Sequence, residues 1–244
     1  SLMLINRNNY KEAKIVIKKA ISIAKELDFM SNAAKYLDCL GIILRHEGKL
    51  NESIKVVNEA LAISKIIDDK HGLRKYLNSI GLSKERSGDF KGALDLYVKC
   101  LDLSKKISEK RSIAVSYNNI AGMHSVLGNF NESLKNLKKA FSYAKRINYK
   151  EGEAGFAFNI STTLLRQKKY TTSLKYLDIS INAFESMGNP YIIECYILKT
   201  YIYVLKADMN RVNECYKYIK NVKSDNEFGH IRNWELYKIN LYLG

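Results

Sequence analysis

The 244-residue sequence contains few of the residues that usually interrupt or cross-link a chain, with 1 proline, 13 glycines and 4 cysteines. Strands and irregular loops normally contain several prolines, so this scarcity argues against a loop-rich protein and predicts long helices joined by short turns. Cys39, Cys100, Cys195 and Cys215 lie far apart, with no C-x-x-C pair. Their spacing argues against a disulfide framework and favours a reducing, cytoplasmic compartment.

Long hydrophobic runs are scarce as well. The apolar run at residues 2–5 is too short for a signal peptide or a membrane span. The most apolar longer stretch, residues 191–207, contains Glu194 and Lys199 and is shorter than a bilayer requires. We interpret it as a buried helix and expect no membrane partner.

Acidic residues are the minority charge: 25 Asp and Glu stand against 40 Lys and Arg, for a formal net charge of +15. Such a balance favours either an anionic partner or lysine-rich helix faces that are simply solvated. Lysine, asparagine and isoleucine are abundant together, which is typical of biased composition, and lysine far outnumbers arginine, the residue that reads bases. We do not expect direct nucleic-acid contact, although a basic solenoid that binds nucleic acid stays open as an alternative.

The chain contains an internal repeat. A short phrase recurs every 40 residues, and after 39 at the last step: glycine, a polar residue, a large apolar residue and a helix start. The phrases begin at Asn8, Gly48, Gly88, Gly128, Lys168 and Ala207. Glycine suits the position just past a helix end because it adopts the left-handed conformation without steric cost. Each repeat is therefore predicted to be a first helix, a tight turn and a second helix.

The spacing of small and apolar residues predicts how these helices pack. In the second helices, small residues recur seven positions apart on one stripe, where another helix can approach closely. They include Ser53, Ala60, Ala93 and Cys100. In the first helices an apolar stripe with a small central residue is predicted to face inward, as in Leu37, Leu40, Gly41 and Leu44. The predicted N-caps of the second helices are Asn51, Asn131, Thr171 and Asn210.

This order of residues resembles the tetratricopeptide repeat over nearly all of the chain. The matching positions are Leu40-Gly41, Ile80-Gly81 and Ile120-Ala121 in first helices, and Gly88-Asp89-Phe90, Ala93, Tyr97 and Cys100 around one second helix. The resemblance implies an all-α, right-handed α-solenoid of helix-turn-helix units. Because the period exceeds the common 34 residues, the second helix and its following loop are expected to be longer. The 40-residue form is similar to repeats in kinesin light chains, cell-polarity adaptors and bacterial sensor or regulator proteins.

The repeats predict a single solenoid domain over residues 1–244, with about six units truncated at both ends. The units are 1–30, 31–70, 71–110, 111–150, 151–189 and 190–229, followed by a partial unit at 230–244. The first unit contains only the tail of a first helix, at residues 2–7, and the last segment reads as another first helix. We therefore expect a piece of a larger protein, or vector-derived residues at the start.

No catalytic or metal-binding pattern is recognisable. The four histidines, His46, His71, His124 and His230, are scattered, without an H-E-x-x-H motif or carboxylates at ligand spacing. No phosphate-binding glycine loop follows a strand, and no G-x-S-x-G motif is present. Cys100 lies at a small packing position and is interpreted as core. We expect no enzyme activity, no metal and no cofactor.

The remaining candidate site is the exposed stripe of the first helices, which the family resemblance places in a groove. Asparagines at the 40-residue period carry both a donor and an acceptor and are expected to hold the backbone of an extended peptide, with cations holding its acidic groups. The candidate residues are Lys35, Arg45, Lys75, Asn78, Arg86, Asn118, Asn119, Asn159 and Arg166. The opposing interpretation is that asparagine simply tolerates an exposed helix.

The last units are rich in aromatic residues that favour packing over ligand binding. They are Tyr191, Tyr196, Tyr201, Tyr203 and Trp234.

The leading interpretation of function is a non-catalytic scaffold that binds a protein or peptide, with an acidic partner favoured by the cations. The resemblance implies the sensor or adaptor part of a larger bacterial regulatory protein. Two related alternatives are a peptide-pheromone-responsive transcription regulator and a phosphatase-type receptor domain. A spacer without any ligand is a further alternative.

Overall fold

The computed structural model describes residues 10–221, which form eleven α-helices and contain no strand. The helices are α1 Tyr10–Glu26, α2 Met30–His46, α3 Leu50–Ile66, α4 Lys70–Arg86, α5 Phe90–Lys106, α6 Lys110–Val126, α7 Phe130–Arg146, α8 Lys150–Arg166, α9 Tyr170–Ser186, α10 Ile192–Leu205 and α11 Met209–Asn221. The first helices of the repeats are α2, α4, α6, α8 and α10, and the others are second helices. The predicted all-helical fold is therefore confirmed.

The turns between these helices follow one pattern. Its middle residue has a positive φ, as predicted for Gly48, Gly88 and Gly128, whose φ angles are 79°, 84° and 80°. The amide after this residue donates to the carbonyl five residues back at the helix end, as in Lys49 N to Leu44 O at 2.9 Å. This is the Schellman arrangement, which satisfies carbonyls that the helix end would leave unpaired.

The same turn also separates each second helix from the next first helix, which the repeat phrases did not predict. Asp28, Asp68, Ser108 and Asn148 occupy the left-handed position in four of these turns, and Gly188 occupies it after α9. Helices α1–α9 all have 17 residues, and their connections up to α9 have three. The expected longer loop after the second helix is therefore wrong, and the repeat is two equal halves.

The predicted N-caps are wrong by two residues. Asn51, Asn131 and Thr171 lie in the first turn of their helices, because the preceding large apolar residue is already helical. The capping position directly follows the left-handed residue. Asp69 and Asp89 occupy it in α4 and α5, and their carboxylates accept hydrogen bonds from the amides of Gly72 and Gly92 at 2.9 Å.

The helices form two compact units, and each is described by itself. In unit 1, which ends at Gly128, α1 to α6 pack each on the next, and α2 also packs on α4. In unit 2, which begins at Asn129, α7 to α11 likewise pack each on the next. The boundary falls between the two helices of the unit predicted at 111–150. The single domain over 1–244 stays a prediction.

Small residues permit the close helix contacts that the sequence predicted. A Cβ added to Gly81 of α4 would lie 2.7 Å from Cε1 of Tyr97, a fully buried ring of α5. Gly41 of α2 abuts Val57 of α3 in the same way. The predicted small residues of the second helices are at most 1% exposed: Ser53, Ala60, Ala93 and Cys100. The predicted inward face is buried too, with Leu37, Leu40 and Leu44 at 3–6% exposure.

Three sequence predictions lie outside the described residues. They concern the first-helix tail at 2–7, the partial repeat at 230–244, and Trp234.

The contact at Gly81 gives a stability prediction. Gly81→Ala is expected to destabilise unit 1 by about 1–2 kcal/mol. Overpacking typically costs about 1–3 kcal/mol, and the higher helix propensity of alanine offsets at most about 1 kcal/mol of that cost. Gly122→Ala in α6 is the matched control, because a Cβ there meets no atom within 4 Å. It should leave stability unchanged or raise it by up to about 1 kcal/mol. Urea unfolding followed by circular dichroism measures both, and equal effects would contradict the packing account.

Candidate functional site

The predicted groove residues of unit 1 lie on one face of α2, α4 and α6, which we name the unit 1 face. Lys35, Lys75 and Arg86 are exposed, whereas Arg45 is half-buried. The amides of Asn78, Asn118 and Asn119 are half-buried as well. The structure thus brings residues from three successive first helices to one surface, but several of them bind each other.

Lys75 is one of the engaged residues. Its Nζ lies 3.0 Å from Oδ2 of Asp38, whose side chain is 1% exposed. Asp38 follows the exposed Lys35 by three positions on α2, but contact between α2 and α4 buries it. Its second oxygen, Oδ1, has no hydrogen-bond partner among residues 10–221. Burial together with the Asp38 charge raises the pKa of the adjacent Tyr76 to about 12.

Arg45 and Arg86 connect the same two helices at their C-terminal ends. Arg45 donates to the carbonyl and hydroxyl oxygens of Ser79 at 3.3 Å, and Arg86 donates to the carbonyl of Arg45 at 3.0 Å. Burial and then the neighbouring arginine charges lower the pKa of His46. The guanidinium groups of Arg45 and Arg86 make this end of the unit 1 face positive, and it would favour an anionic group.

Asn78 and Asn119 form the part of the face that retains hydrogen-bonding capacity. Asn119 Nδ2 donates to Asn78 Oδ1 at 3.0 Å, from α6 to α4. Asn118 Nδ2 lies 3.5 Å from Asn119 Oδ1, at the limit of a hydrogen bond. The Nδ2 group of Asn78 donates to no residue in the range 10–221. A primary amide has two donors and an acceptor, so this pair can bind a further peptide group.

In unit 2 the predicted residues are Asn159 and Arg166 of α8. The Arg166 guanidinium lies 5.9 Å from the centre of the Phe130 ring, a cation–π contact. Asn159 lines a cavity of about 410 Å³, which we name the α8–α10 cavity. The structure therefore separates the two residues: Arg166 covers a ring, and Asn159 borders an open space.

The α8–α10 cavity contains functional candidates that sequence reasoning missed. Along α8 it is lined by Glu151, Gly155, Phe158 and Asn159. On the opposite side it is lined by Phe184, Asn189, Tyr191 and Glu194. Successive lining residues on α8 are separated by four, three and one positions, so they lie along one side of the helix. That stripe, together with the only proline at the point where the repeat shortens, is the signal that could have found the cavity.

The turn before α10 positions Tyr191 at this cavity. Asn189 Oδ1 accepts a hydrogen bond from the Tyr191 amide at 3.0 Å, around Pro190. The Tyr191 ring stacks on Phe184, with centroids 6.0 Å apart. Tyr191 therefore packs against Phe184, as predicted, although it remains 53% exposed. The prediction holds for Tyr203, which is buried, whereas Tyr201 is exposed and Tyr196 stacks on Tyr218.

The cysteines do not form a reactive or metal-binding site. All four are free thiols, and Cys100, Cys195 and Cys215 are buried. Burial raises the pKa of Cys100 to about 12 and that of Cys195 to about 11, so both remain protonated near neutral pH. Within residues 10–221, no three His, Cys, Asp or Glu side chains are grouped so that they could hold a metal ion.

Sequence comparison identifies the family. Three models described as tetratricopeptide repeat match residues 1–27, 31–106 and 113–148, together more than half of the chain. The chain belongs to the tetratricopeptide repeat family, and its fold class is the all-α solenoid of paired helices that the repeats predicted. Comparison of this sequence with curated proteins found no significant match.

Several solved structures have the same fold. BtubC (BKLC) from P. vanneervenii has a TM-score of 0.78 and 12% identity over 88% of this chain and 94% of its own. The second structure is a signal transduction ATPase with numerous domains from Pyrococcus horikoshii, which has a tetratricopeptide repeat sensor. Its TM-score is 0.77 and its sequence identity is 14% over 93% of this chain, but this chain spans only 36% of that protein. A Rap protein in complex with competence and sporulation factor has a TM-score of 0.64 and 15% sequence identity, over 96% of this chain and 67% of its own. Identities this low establish the fold alone.

Among the described helices, none combines the length and apolar character needed to cross a membrane.

The buried ion pair gives a second stability prediction. Lys75→Met leaves the buried Asp38 carboxylate without its cation and should cost about 2 kcal/mol, below the ~3–5 kcal/mol of fully buried pairs because Lys75 is half-exposed. Asp38→Asn leaves a solvated lysine and should cost about 1 kcal/mol or less. The double variant should be more stable than Lys75→Met alone. Urea unfolding of the four proteins tests this, and strictly additive losses would contradict the pairing.

Proposed function

We propose that this chain is a non-catalytic scaffold that binds an extended peptide, or a peptide segment of a protein, on the face of its first helices. The observation that carries the proposal is the half-buried amide pair Asn78–Asn119, which joins two successive first helices through one 3.0 Å hydrogen bond. Donors and an acceptor remain on these amides. An extended backbone offers the complementary carbonyls and amides at regular spacing.

The positive end of the unit 1 face adds a preference for an acidic residue of the partner. Arg86 uses one of its five donors on the Arg45 carbonyl, so the others can reach a carboxylate. Arg45 and His46 lie beside it. Lys75 contributes less than the sequence suggested, because Asp38 already neutralises it. The acidic preference is therefore assigned to the arginines.

At a finer level, we propose that the chain is the sensor part of a bacterial regulatory protein. Support for the sensor role comes from the fold shared with the tetratricopeptide repeat sensor of the Pyrococcus protein. A receptor for a signalling peptide is the second candidate, since the Rap protein of the same fold holds competence and sporulation factor. The four unpaired thiols agree with a reducing, cytoplasmic location.

The experiment is an affinity selection of pooled, fluorescein-labelled twelve-residue random peptides on the full chain, followed by fluorescence anisotropy of the strongest binder. Asn78→Ala/Asn119→Ala should weaken binding about tenfold, since each lost hydrogen bond is worth about 0.5–1.5 kcal/mol. Asn51→Ala/Asn58→Ala is the matched control, because both asparagines are exposed on the second helix α3. It should leave the affinity unchanged.

Two results would overturn the proposal. One is that no peptide is recovered. The other is that the α3 pair weakens binding as much as the Asn78–Asn119 pair, which would place the peptide elsewhere.

A further inference from the structure

The α8–α10 cavity differs from the unit 1 face in the charge that it presents. Its charged lining residues are two carboxylates, Glu151 and Glu194. Neither has an ion-pair partner in the range 10–221, although the formal net charge of the chain is +15. The lysines nearest in sequence are engaged elsewhere: Lys150 lies 3.4 Å from Glu153, and Lys199 lies 2.7 Å from Asp178. The cavity is therefore a negative site in a basic protein.

The walls of the cavity suit a cation that carries an apolar stem. Phe158, Phe184 and Tyr191 supply aromatic surface, and ring faces attract ammonium and guanidinium groups. The stacked pair Phe184–Tyr191 fixes one wall, with ring centroids 6.0 Å apart. The volume of about 410 Å³ lies within the ~300–1,000 Å³ range of ligand pockets.

Gly155 is the residue that opens the cavity. At the 40-residue period its counterparts are Lys35 in α2, Lys75 in α4 and Val115 in α6. A Cβ added to Gly155 would meet no atom within 4 Å, so neither packing nor a turn requires glycine there. Glycine in a helix interior costs about 1 kcal/mol relative to alanine. The missing side chain removes both a charge and the volume that would fill the site.

We propose that the α8–α10 cavity binds the side chain of an arginine or lysine residue of the peptide, with its charge held by Glu151 and Glu194 and its stem against the aromatic rings. This inference rests on the proposed function, because it names the residue type that a bound peptide places in unit 2. It assigns recognition of a basic group to unit 2, whereas recognition of an acidic group is assigned to the arginines of unit 1.

The experiment compares peptide mixtures that differ in one fixed central residue. Twelve-residue mixtures carry arginine or its neutral isostere citrulline, and anisotropy measures their affinities for the full chain. Arginine should bind at least about tenfold more tightly, as expected for a desolvated cation between carboxylates and rings. Glu151→Gln/Glu194→Gln should abolish this ratio. Glu132→Gln/Glu214→Gln, at exposed acids of unit 2 outside the cavity, is the control and should preserve it.

Gly155→Lys is the second variant, and it places into the cavity the lysine that α2 and α4 carry at this position. Because open space surrounds this position and lysine is the better helix former, the fold should be retained. The variant should lose the preference for arginine. Circular dichroism at 222 nm verifies that the helices persist.

A small probe separates the two proposals. Ligand-observed NMR measures whether N-acetylarginine methylamide and its citrulline analogue bind, and so tests the cavity without a peptide. If both mixtures bind equally and the small probes do not differ, the cavity assignment is wrong while peptide binding stands. A third outcome is that no peptide binds, that the arginine probe binds whereas the citrulline probe does not, and that Gly155→Lys abolishes binding of the arginine probe. In that case the cavity assignment stands and the proposed function fails. If the Glu variants alter only stability and not the arginine preference, the carboxylates serve their helix N-termini and the inference is overturned.

Discussion

A left-handed residue about every twenty positions is the constraint on which the rest of the structure depends. It ends each helix by a Schellman turn and sets the length of α1 to α9 at 17 residues. With a constant length, the same stripe of each first helix returns to an equivalent position in every repeat. Residues 40 positions apart thereby become comparable, as Lys35, Lys75, Val115 and Gly155 illustrate. The turn thus determines which side chains share a face.

Much of the fold could be predicted from the sequence because few residues other than glycine adopt a positive φ without steric cost, and because small residues mark where two helices approach closely. Gly48, Gly88 and Gly128 lie where left-handed conformations were expected, and Gly81 lies against a buried ring. The other turns escaped prediction because Asp28 and Ser108 tolerate positive φ without being diagnostic of it. The caps were misplaced because the pattern does not reveal whether the apolar residue after the turn is already helical.

The candidate site was less predictable, because helical spacing gives the direction of a side chain and not its depth. Asp38 has the spacing of an exposed residue, yet α4 covers it and supplies Lys75 as its partner. Asn78 and Asn119 were expected to contact a ligand, and their hydrogen bond to each other depends on the distance between two helices. The α8–α10 cavity depends on a side chain that is missing and on a turn that breaks the period. Neither leaves a strong periodic signal.

The central claim is that the first helices carry the binding surface. Photo-crosslinking tests it most directly: a benzophenone group is placed at successive positions of the selected peptide, and mass spectrometry locates the attached residues on the full chain. The predicted result is attachment to first helices, around Asn78 and Asn119 in unit 1 or around the α8–α10 cavity in unit 2. Attachment concentrated on the exposed stripes of α3, α5, α7 and α9 would contradict it.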